Sequence, residues 1–161
     1  MQRKTLLPSE CPIALSLERV GEWWSLLIMR DALQGLRRFD DFSRSLDISP
    51  NMLTRRLNAL VEAGLLERRA YSDKPLRHEY VPTERGRDLK VVLFALIAWG
   101  NKHFAQDDVS VQVIEKTTGK ALQPMMVNTE TGQAVPWDEC KLVDGPGASP
   151  GMRERLRGIK V

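Results

Sequence analysis

The sequence has little cysteine, little histidine and no long apolar run. Its 161 residues include only two cysteines and two histidines. Two cysteines are too few for a disulfide framework and suit a reducing cytoplasm. His78 and His103 are far apart, with no cysteine or carboxylate at metal-ligand spacing, so we expect no metal and no cofactor.

Membrane segments and catalytic motifs are also missing from the sequence. The longest apolar run, residues 91–99, is far below the ~18 residues of a membrane span. The opening MQRKTLLPSECP lacks the apolar part of a signal peptide. No stretch has the lysine and context of a phosphate-binding loop, and no nucleophile and base are recognisable. We therefore expect a cytoplasmic protein without membrane contact that is not an enzyme.

Positive charge is concentrated in the first two thirds of the chain. Up to residue 104 there are 17 Lys and Arg against 13 Asp and Glu, and 7 against 8 thereafter. A mildly basic part of this kind admits a polyanion partner without demanding one.

Apolar periodicity predicts three helices at the start of the chain. Residues Pro12–Val20 and Trp23–Leu33 have helical spacing, with Gly21 between them and Gly35 as a stop signal. In RFDDFSRSL, the apolar residues at 39, 42 and 46 predict a short amphipathic third helix.

The stretch ISPNMLTRRLNALVEAGLLERR predicts a fourth helix over residues 50–63. Ser49 is a suitable N-cap, Pro50 suits the first turn and Gly64 can end the helix. A short helix, the tight turn DIS and this capped helix form a plausible helix-turn-helix, whose recognition helix covers residues 49–63.

Arg55 and Arg56 are neighbours and so point in different directions. Helical geometry puts Leu53, Leu57 and Leu60 on one face, which we expect to be buried. Arg56 lies near the border of that face, where its stem can pack while its guanidinium reaches solvent. Arg55 lies on the opposite, polar face.

That polar face also carries Asn51 and Asn58. Arginine can pair with guanine, and asparagine with adenine, in a major groove that admits one helix. The face therefore predicts DNA reading, with an ordinary solvated helix surface as the alternative.

Two strand-like stretches, residues 65–70 and 77–81, predict a β-hairpin with a basic rim after the fourth helix. A basic hairpin in this place can contact phosphates or the minor groove, although an ordinary exposed hairpin would have the same pattern. With the helix-turn-helix, it makes a winged helix.

A long last helix is predicted over residues 83–104, with Thr83 as its cap. Its apolar run extends around nearly the whole helix, which is more than one small domain can cover. The spare face predicts a homodimer. Trp23, Trp24 and Trp99 are more typical of core and dimer packing than of a ligand cage.

The sequence changes character after Gln106. VSVQVIEK alternates like a strand, TTGK and NTETGQ are turn-like, and DGPGASPG is typical of a loop. We predict one domain over residues 1–106 and a β-rich C-terminal extension of unknown role over residues 107–161.

Several motifs between residues 11 and 104 occur in a defined order. These are the Cys-Pro start, LLIxRD, RFxxF, ISxxxLTxRLxxLxxxGLxxR and PxxxEYxxTxxG. Together they closely resemble the HxlR-type winged helix-turn-helix transcriptional regulators. The resemblance implies a mainly α fold with a small β-hairpin wing, in a cytoplasmic bacterial homodimer that binds double-stranded operator DNA as a repressor or activator. Trp23 and Pro82 depart from the family pattern, and Pro82 predicts an early end of the wing strand.

We predict that DNA is contacted by the recognition helix and the wing, through Ser49, Asn51, Thr54, Arg55, Arg56, Asn58, Arg68, Arg69, Lys74 and Arg77. The alternative function is a winged-helix protein-interaction module without specific DNA readout.

Cys11 precedes Pro12 and a helix N-terminus, where the backbone dipole favours a thiolate. The neighbouring Glu10 opposes this effect. In the resembled family, some members sense oxidants or electrophiles through a cysteine near this point, so Cys11 is a candidate sensor of an oxidant or small-molecule inducer. An inert thiol is the alternative, and Cys140 is a weaker candidate.

Overall fold

The computed structural model describes residues 9–105 and 109–157. The first of these segments folds as helices around a two-stranded antiparallel hairpin. Its elements, in chain order, are α1 (Pro12–Val20), α2 (Trp23–Leu33), α3 (Phe39–Leu46), α4 (Pro50–Glu62), β1 (Leu66–Asp73), β2 (Leu76–Pro82), α5 (Glu84–Asp88) and α6 (Lys90–His103). The predicted winged helix-turn-helix fold is confirmed.

The core lies between α2, α3, α4 and the base of the hairpin. The predicted stripe of Leu53, Leu57 and Leu60 is fully buried, and it packs with Ile28 and Phe42 from the two preceding helices. Burying each such side chain contributes about 1.5–3 kcal/mol relative to leaving it exposed. The stripe therefore fixes which face of α4 is left for solvent.

The turn between α3 and α4 holds these helices in the helix-turn-helix arrangement. Asp47, after the last residue of α3, adopts the left-handed conformation with φ of 48°. Aspartate tolerates that conformation better than most residues. The buried carboxylate of Asp31 accepts a hydrogen bond from Ser45 Oγ at 2.7 Å and pairs with Arg30 at 2.8 Å, which ties α2 to α3. The α3 side of the turn is thus anchored to α2.

The hairpin is longer than predicted, because both strands extend toward the turn. Leu66 pairs with Pro82 at the base and Asp73 with Leu76 near the tip, with a bulge between Ala70 and Ser72. Pro82 is the last residue of β2, so the prediction that it ends the strand early is wrong. A proline is compatible with the outer edge of a strand, where its missing N–H is not needed.

Thr83 and Gly86 join the wing to the helices that follow. Thr83 Oγ1 donates to the Gly64 carbonyl at 2.7 Å and accepts from the Gly86 N–H at 3.1 Å, which confirms the predicted cap. A Cβ on Gly86 would lie 2.0 Å from the Leu65 carbonyl oxygen, so no side chain fits there. These contacts explain why threonine and glycine are spaced as they are.

The single long helix predicted over residues 83–104 is wrong. The chain forms α5 and α6 instead, interrupted at Leu89, whose ψ of −15° departs from the roughly −42° of an α-helix. No glycine or proline marks this break in the sequence. Within the described residues, no helix combines the length and apolar character needed to cross a bilayer.

The extension, residues 109–157, contains small strands, as predicted, but little regular β-structure. Its elements are β3 (Met126–Val127), β4 (Ala134–Val135), a 3-10 turn (Trp137–Glu139) and α7 (Pro150–Arg157). VSVQVIEK is not a strand: only Ile114 forms a bridge, to Ala121. The loop predicted for DGPGASPG holds only as far as Ser149, because its last two residues, Pro150 and Gly151, begin α7, which was not predicted. The predicted domain boundary after residue 106 lies outside the described residues.

Candidate nucleic-acid interface

The face of α4 opposite the buried stripe is solvent-exposed and polar. Asn51, Thr54, Arg55 and Asn58 are all exposed on it. Thr54 Oγ1 donates back to the Pro50 carbonyl at 2.9 Å, so its proton is already used within the helix. Elsewhere on this face, the described chain provides no hydrogen-bond partner for the side chains of Asn51, Arg55 and Asn58. Their donors and acceptors are available to an external ligand.

Ser49 begins α4 in a way that differs from the prediction. It is the N-cap residue, with extended φ and ψ of −61° and 142°, but its side chain makes no capping hydrogen bond. The exposed hydroxyl therefore remains available at the N-terminus of α4, where the helix dipole favours an anion such as phosphate.

Arg56 turns inward, and the prediction that its guanidinium reaches solvent is wrong. Its side chain is 18% exposed and forms an ion pair with Glu22 at 3.1 Å. Glu22 is the N-cap residue of α2, just after the α1 helix has ended. Helical periodicity within α4 cannot reveal a carboxylate supplied by a different helix. The charge of Arg56 is thus used inside the domain, where it holds α4 against the α1–α2 junction.

The pairing register of the two strands places the two adjacent wing arginines on opposite faces of the hairpin. Arg68 lies opposite Tyr80, and Arg69 lies opposite Glu79, so their side chains point to opposite faces of the hairpin. Arg69 also forms an ion pair with Glu67. Only one of the two arginines can therefore face a given groove of DNA. Of the two, Arg68 has no salt-bridge partner among the described residues.

The tip of the wing carries the other two predicted contacts. Lys74 and Arg77 are exposed, and neither forms an ion pair within residues 9–105 and 109–157. Tyr71, the extra residue of the bulge, places its ring 4.8 Å from the guanidinium carbon of Arg38. A bulge increases local twist and can redirect a strand end toward a ligand.

Arg37 and Arg38 were missed in the sequence as part of this surface. The Tyr80 N–H donates to the Arg37 carbonyl at 2.8 Å, and Arg38 forms a β-bridge with Glu79. Two exposed arginines are thereby added at the edge of the wing, next to the N-terminus of α3. The signal was the pair of adjacent arginines in GLRRFDD, at the start of the predicted third helix.

Cys11 belongs to neither α4 nor the wing and is the N-cap residue of α1. The backbone N–H groups of Ala14 and Ile13, helped by Arg155, lower the pKa of the Cys11 thiol. The carboxylate of Glu10 accepts a hydrogen bond from the Ser149 N–H at 2.9 Å, and contacts with Ser149 lower the Glu10 pKa. The N-terminus of α1 is therefore in direct contact with the extension.

Known proteins share this architecture and sequence. The profile of the HxlR-like helix-turn-helix family matches residues 19–108. Rv3095 of Mycobacterium tuberculosis, named an uncharacterised HTH-type transcriptional regulator, is 38% identical over 136 residues, covering 84% of this chain and 86% of that protein. A candidate transcription factor from Pseudomonas aeruginosa, PA1374, is 65% identical with a TM-score of 0.69, covering 91% of this chain and 100% of that chain.

A redox regulator, HypR, in its reduced form has 30% identity and a TM-score of 0.54, covering 58% of this chain and 95% of that chain. The similarity to Rv3095 and PA1374 covers more of the chain than the winged domain alone, so it includes part of the extension. The matching family and these relatives are regulators, not enzymes. Over most of its length, then, the chain belongs to the HxlR-like helix-turn-helix family of transcriptional regulators.

Proposed function

We propose that this DNA-binding regulator recognises a two-fold symmetric operator as a homodimer. In each half-site, α4 lies in the major groove and the wing lies on the adjacent backbone or minor groove. The observation that carries the proposal is the exposed face of α4, where Asn51, Arg55 and Asn58 have no hydrogen-bond partner among the described residues. These are the side chains suited to paired hydrogen bonds with base edges.

The other residues predicted to contact DNA fall into two groups, according to whether their side chains already have a partner within the protein. Phosphate contact is best supported for the exposed and unpaired groups, which are Ser49, Arg68, Lys74 and Arg77. Arg69 pairs with Glu67, so it would have to exchange that partner for a phosphate. Arg56 is assigned a positioning role, because its charge is engaged with Glu22.

Arg55→Ala tests this assignment. Loss of one bidentate base contact should weaken binding to the preferred site by about 1–3 kcal/mol and relax the base preference at one position of each half-site. Arg56→Ala should instead reduce binding to all sequences similarly, because it disturbs the placement of α4. Both effects are measured by competition against randomised DNA sites.

Arg157→Ala is the matched control, because this exposed arginine lies on α7 and is expected to leave both affinity and specificity unchanged. If the base preference is the same in wild type and in the Arg55 variant, the recognition face is wrongly assigned.

A protein-interaction module without specific readout is the second candidate. The exposed apolar side chains of α1 and α6, such as Ile13 and Phe94, are the observation in its favour. Salt separates the two candidates, because DNA binding releases counterions and weakens steeply as salt rises. Steep salt dependence together with a base preference supports operator recognition.

Dimerisation is supported by the unusual exposure of α6. This apolar helix has no buried residue, and its Val91 and Trp99 side chains are 73% and 55% exposed. A second copy would cover this face and place two recognition helices about 34 Å apart, as a symmetric operator requires. Sedimentation of the protein at micromolar concentration should show a dimer, and a stable monomer would contradict the proposal.

An oxidant or electrophile acting at Cys11 is the inducer class that we propose. The lowered pKa of this thiol and its incomplete burial support reactivity. HypR, which is named a redox regulator, has a similar fold. In this proposal the protein is a repressor in the bacterial cytoplasm, and modification of Cys11 releases it from its operator.

A further inference from the structure

A cavity of about 470 Å³ lies between the N-terminal end of α1 and the last part of the extension. Its wall is mainly apolar, and the side chains that form it include Pro12, Ile13, Leu142, Val143, Met152 and Leu156. Pockets that hold small ligands have volumes of about 300–1,000 Å³ and similar, mostly apolar linings with a few polar groups. The cavity therefore has the size and the surface of a small-molecule site.

The cavity walls come from opposite ends of the chain and are held together by specific contacts. The Ser149 N–H donates to the Glu10 carboxylate at 2.9 Å across the junction. Within the extension, Arg153 pairs with Asp144 at 3.6 Å, which holds α7 against the segment before it. The site is therefore a product of docking the extension onto α1.

Polar groups also line this cavity. Arg155 and Cys11 both line it, and Arg155 is among the groups that lower the Cys11 pKa. Cys11 is the N-cap residue at the start of α1, where the helix dipole adds positive potential. A guanidinium in this setting favours a carboxylate, with which it forms paired hydrogen bonds.

Glu10 limits the charge that a ligand can carry. Its carboxylate also lines the cavity, and although Ser149 holds it by a hydrogen bond, its negative charge repels a second acidic group. A polyanion such as a nucleotide phosphate chain is thereby disfavoured. We propose that this cavity binds a small molecule with an apolar body and a single acidic group, the body packed against α7 and the acid at Arg155.

The probe is decanoate, compared with decanol, which has the same chain but no charge. Calorimetry should show one decanoate bound per chain, more tightly than decanol. Bound decanoate should also slow the alkylation of Cys11 by N-ethylmaleimide, followed by mass spectrometry. Cys140 contacts Pro136 and does not line this cavity, so its alkylation rate provides the internal reference and should not change. The experiment involves no DNA, so its outcome is independent of the proposed operator binding.

Two variants separate the apolar and acidic parts of the site. Arg155→Gln should weaken decanoate binding by about tenfold and abolish the preference over decanol, while Arg157→Gln on the same helix should leave both unchanged. Met152→Trp should fill the cavity and remove binding of both probes. Thermal unfolding checks that the Met152 variant folds. Because Arg155 is exposed, the Arg155→Gln test does not depend on repacking of apolar side chains.

The proposal is overturned by unaltered decanoate affinity in Arg155→Gln, or by Cys11 alkylation that decanoate does not slow. It is also overturned if Cys11 becomes protected simply as the protein concentration rises without decanoate. That result would identify a second copy of the chain as the occupant of the cavity.

Discussion

The winged domain and the extension are stabilised in different ways. In the domain, apolar side chains from three helices and the hairpin meet in a core that includes Phe42 and Leu57, both fully buried. In residues 109–157, no side chain is buried, and apolar residues such as Leu142 and Trp137 are largely exposed. Hydrophobic burial thus accounts for the domain but cannot account for the extension.

Turns and docking replace a core in the extension. Asn128 Oδ1 accepts a hydrogen bond from the Glu130 N–H at 2.9 Å, and Gly132 takes the left-handed conformation that closes the turn before β4. Asn101 on α6 donates to the Val111 carbonyl at 2.7 Å. The extension is therefore ordered by local turn chemistry and by contact with α1 and α6, so we propose that it depends on the domain and not the reverse.

The largest expected effect is that of removing core volume from the domain. Leu57→Ala should lower the free energy of unfolding by about 2–5 kcal/mol, because it deletes buried methyl groups and leaves a cavity. Leu142→Ala is the matched control in the extension, and it should change stability by no more than about 0.5 kcal/mol. Urea denaturation followed by circular dichroism measures both. Equal losses would show that the two regions share one core.

A smaller effect is expected when the extension is removed. A protein ending at residue 106 should keep the cooperative unfolding of the winged domain, with a change in stability below about 1 kcal/mol, because no described residue of the extension is buried. The comparison also tests the predicted boundary at residues 106–107. Loss of cooperative unfolding would mean that the extension completes the domain.

The smallest expected effect concerns the two cysteines, one in each region. Diamide should weaken operator binding severalfold in the wild type and in Cys140→Ser, but not in Cys11→Ser, since the lowered Cys11 pKa raises its thiolate fraction near neutral pH. Because the pKa is shifted downward, the response should persist to lower pH than that of an ordinary thiol. Mobility shifts measure it, and wild-type binding that ignores diamide would make Cys11 structural.

The sequence alone predicted helix bounds and buried faces correctly wherever local signals agreed with tertiary packing. The predicted bounds of α1 and α2 match the structure, and α4 ends one residue earlier than predicted. Gly64 has the positive φ expected just beyond a helix end. The buried and exposed faces of α4 also follow from periodicity, because the core takes the whole leucine stripe.

Other features depend on contacts between distant residues. Arg56 meets Glu22 from another helix, and the two arginines before α3 join a wing that lies some forty residues later in the chain. In α7, a local signal was present but overlooked: Ser149 and Pro150 repeat the Ser49 and Pro50 pair. Ser149 Oγ accepts from the Met152 N–H at 3.2 Å, yet no apolar run follows to indicate a helix.

The tight contact at Gly86 limits which substitutions this position can accept as the sequence diverges. Any other residue would place its first side-chain carbon 2.0 Å from the Leu65 carbonyl oxygen, a backbone atom that cannot rotate away. A change there cannot be compensated by a second substitution nearby, because side-chain replacement does not move a carbonyl. Position 86 should therefore stay glycine through long divergence, while the proposed recognition face of α4, about thirty residues upstream, is free to change.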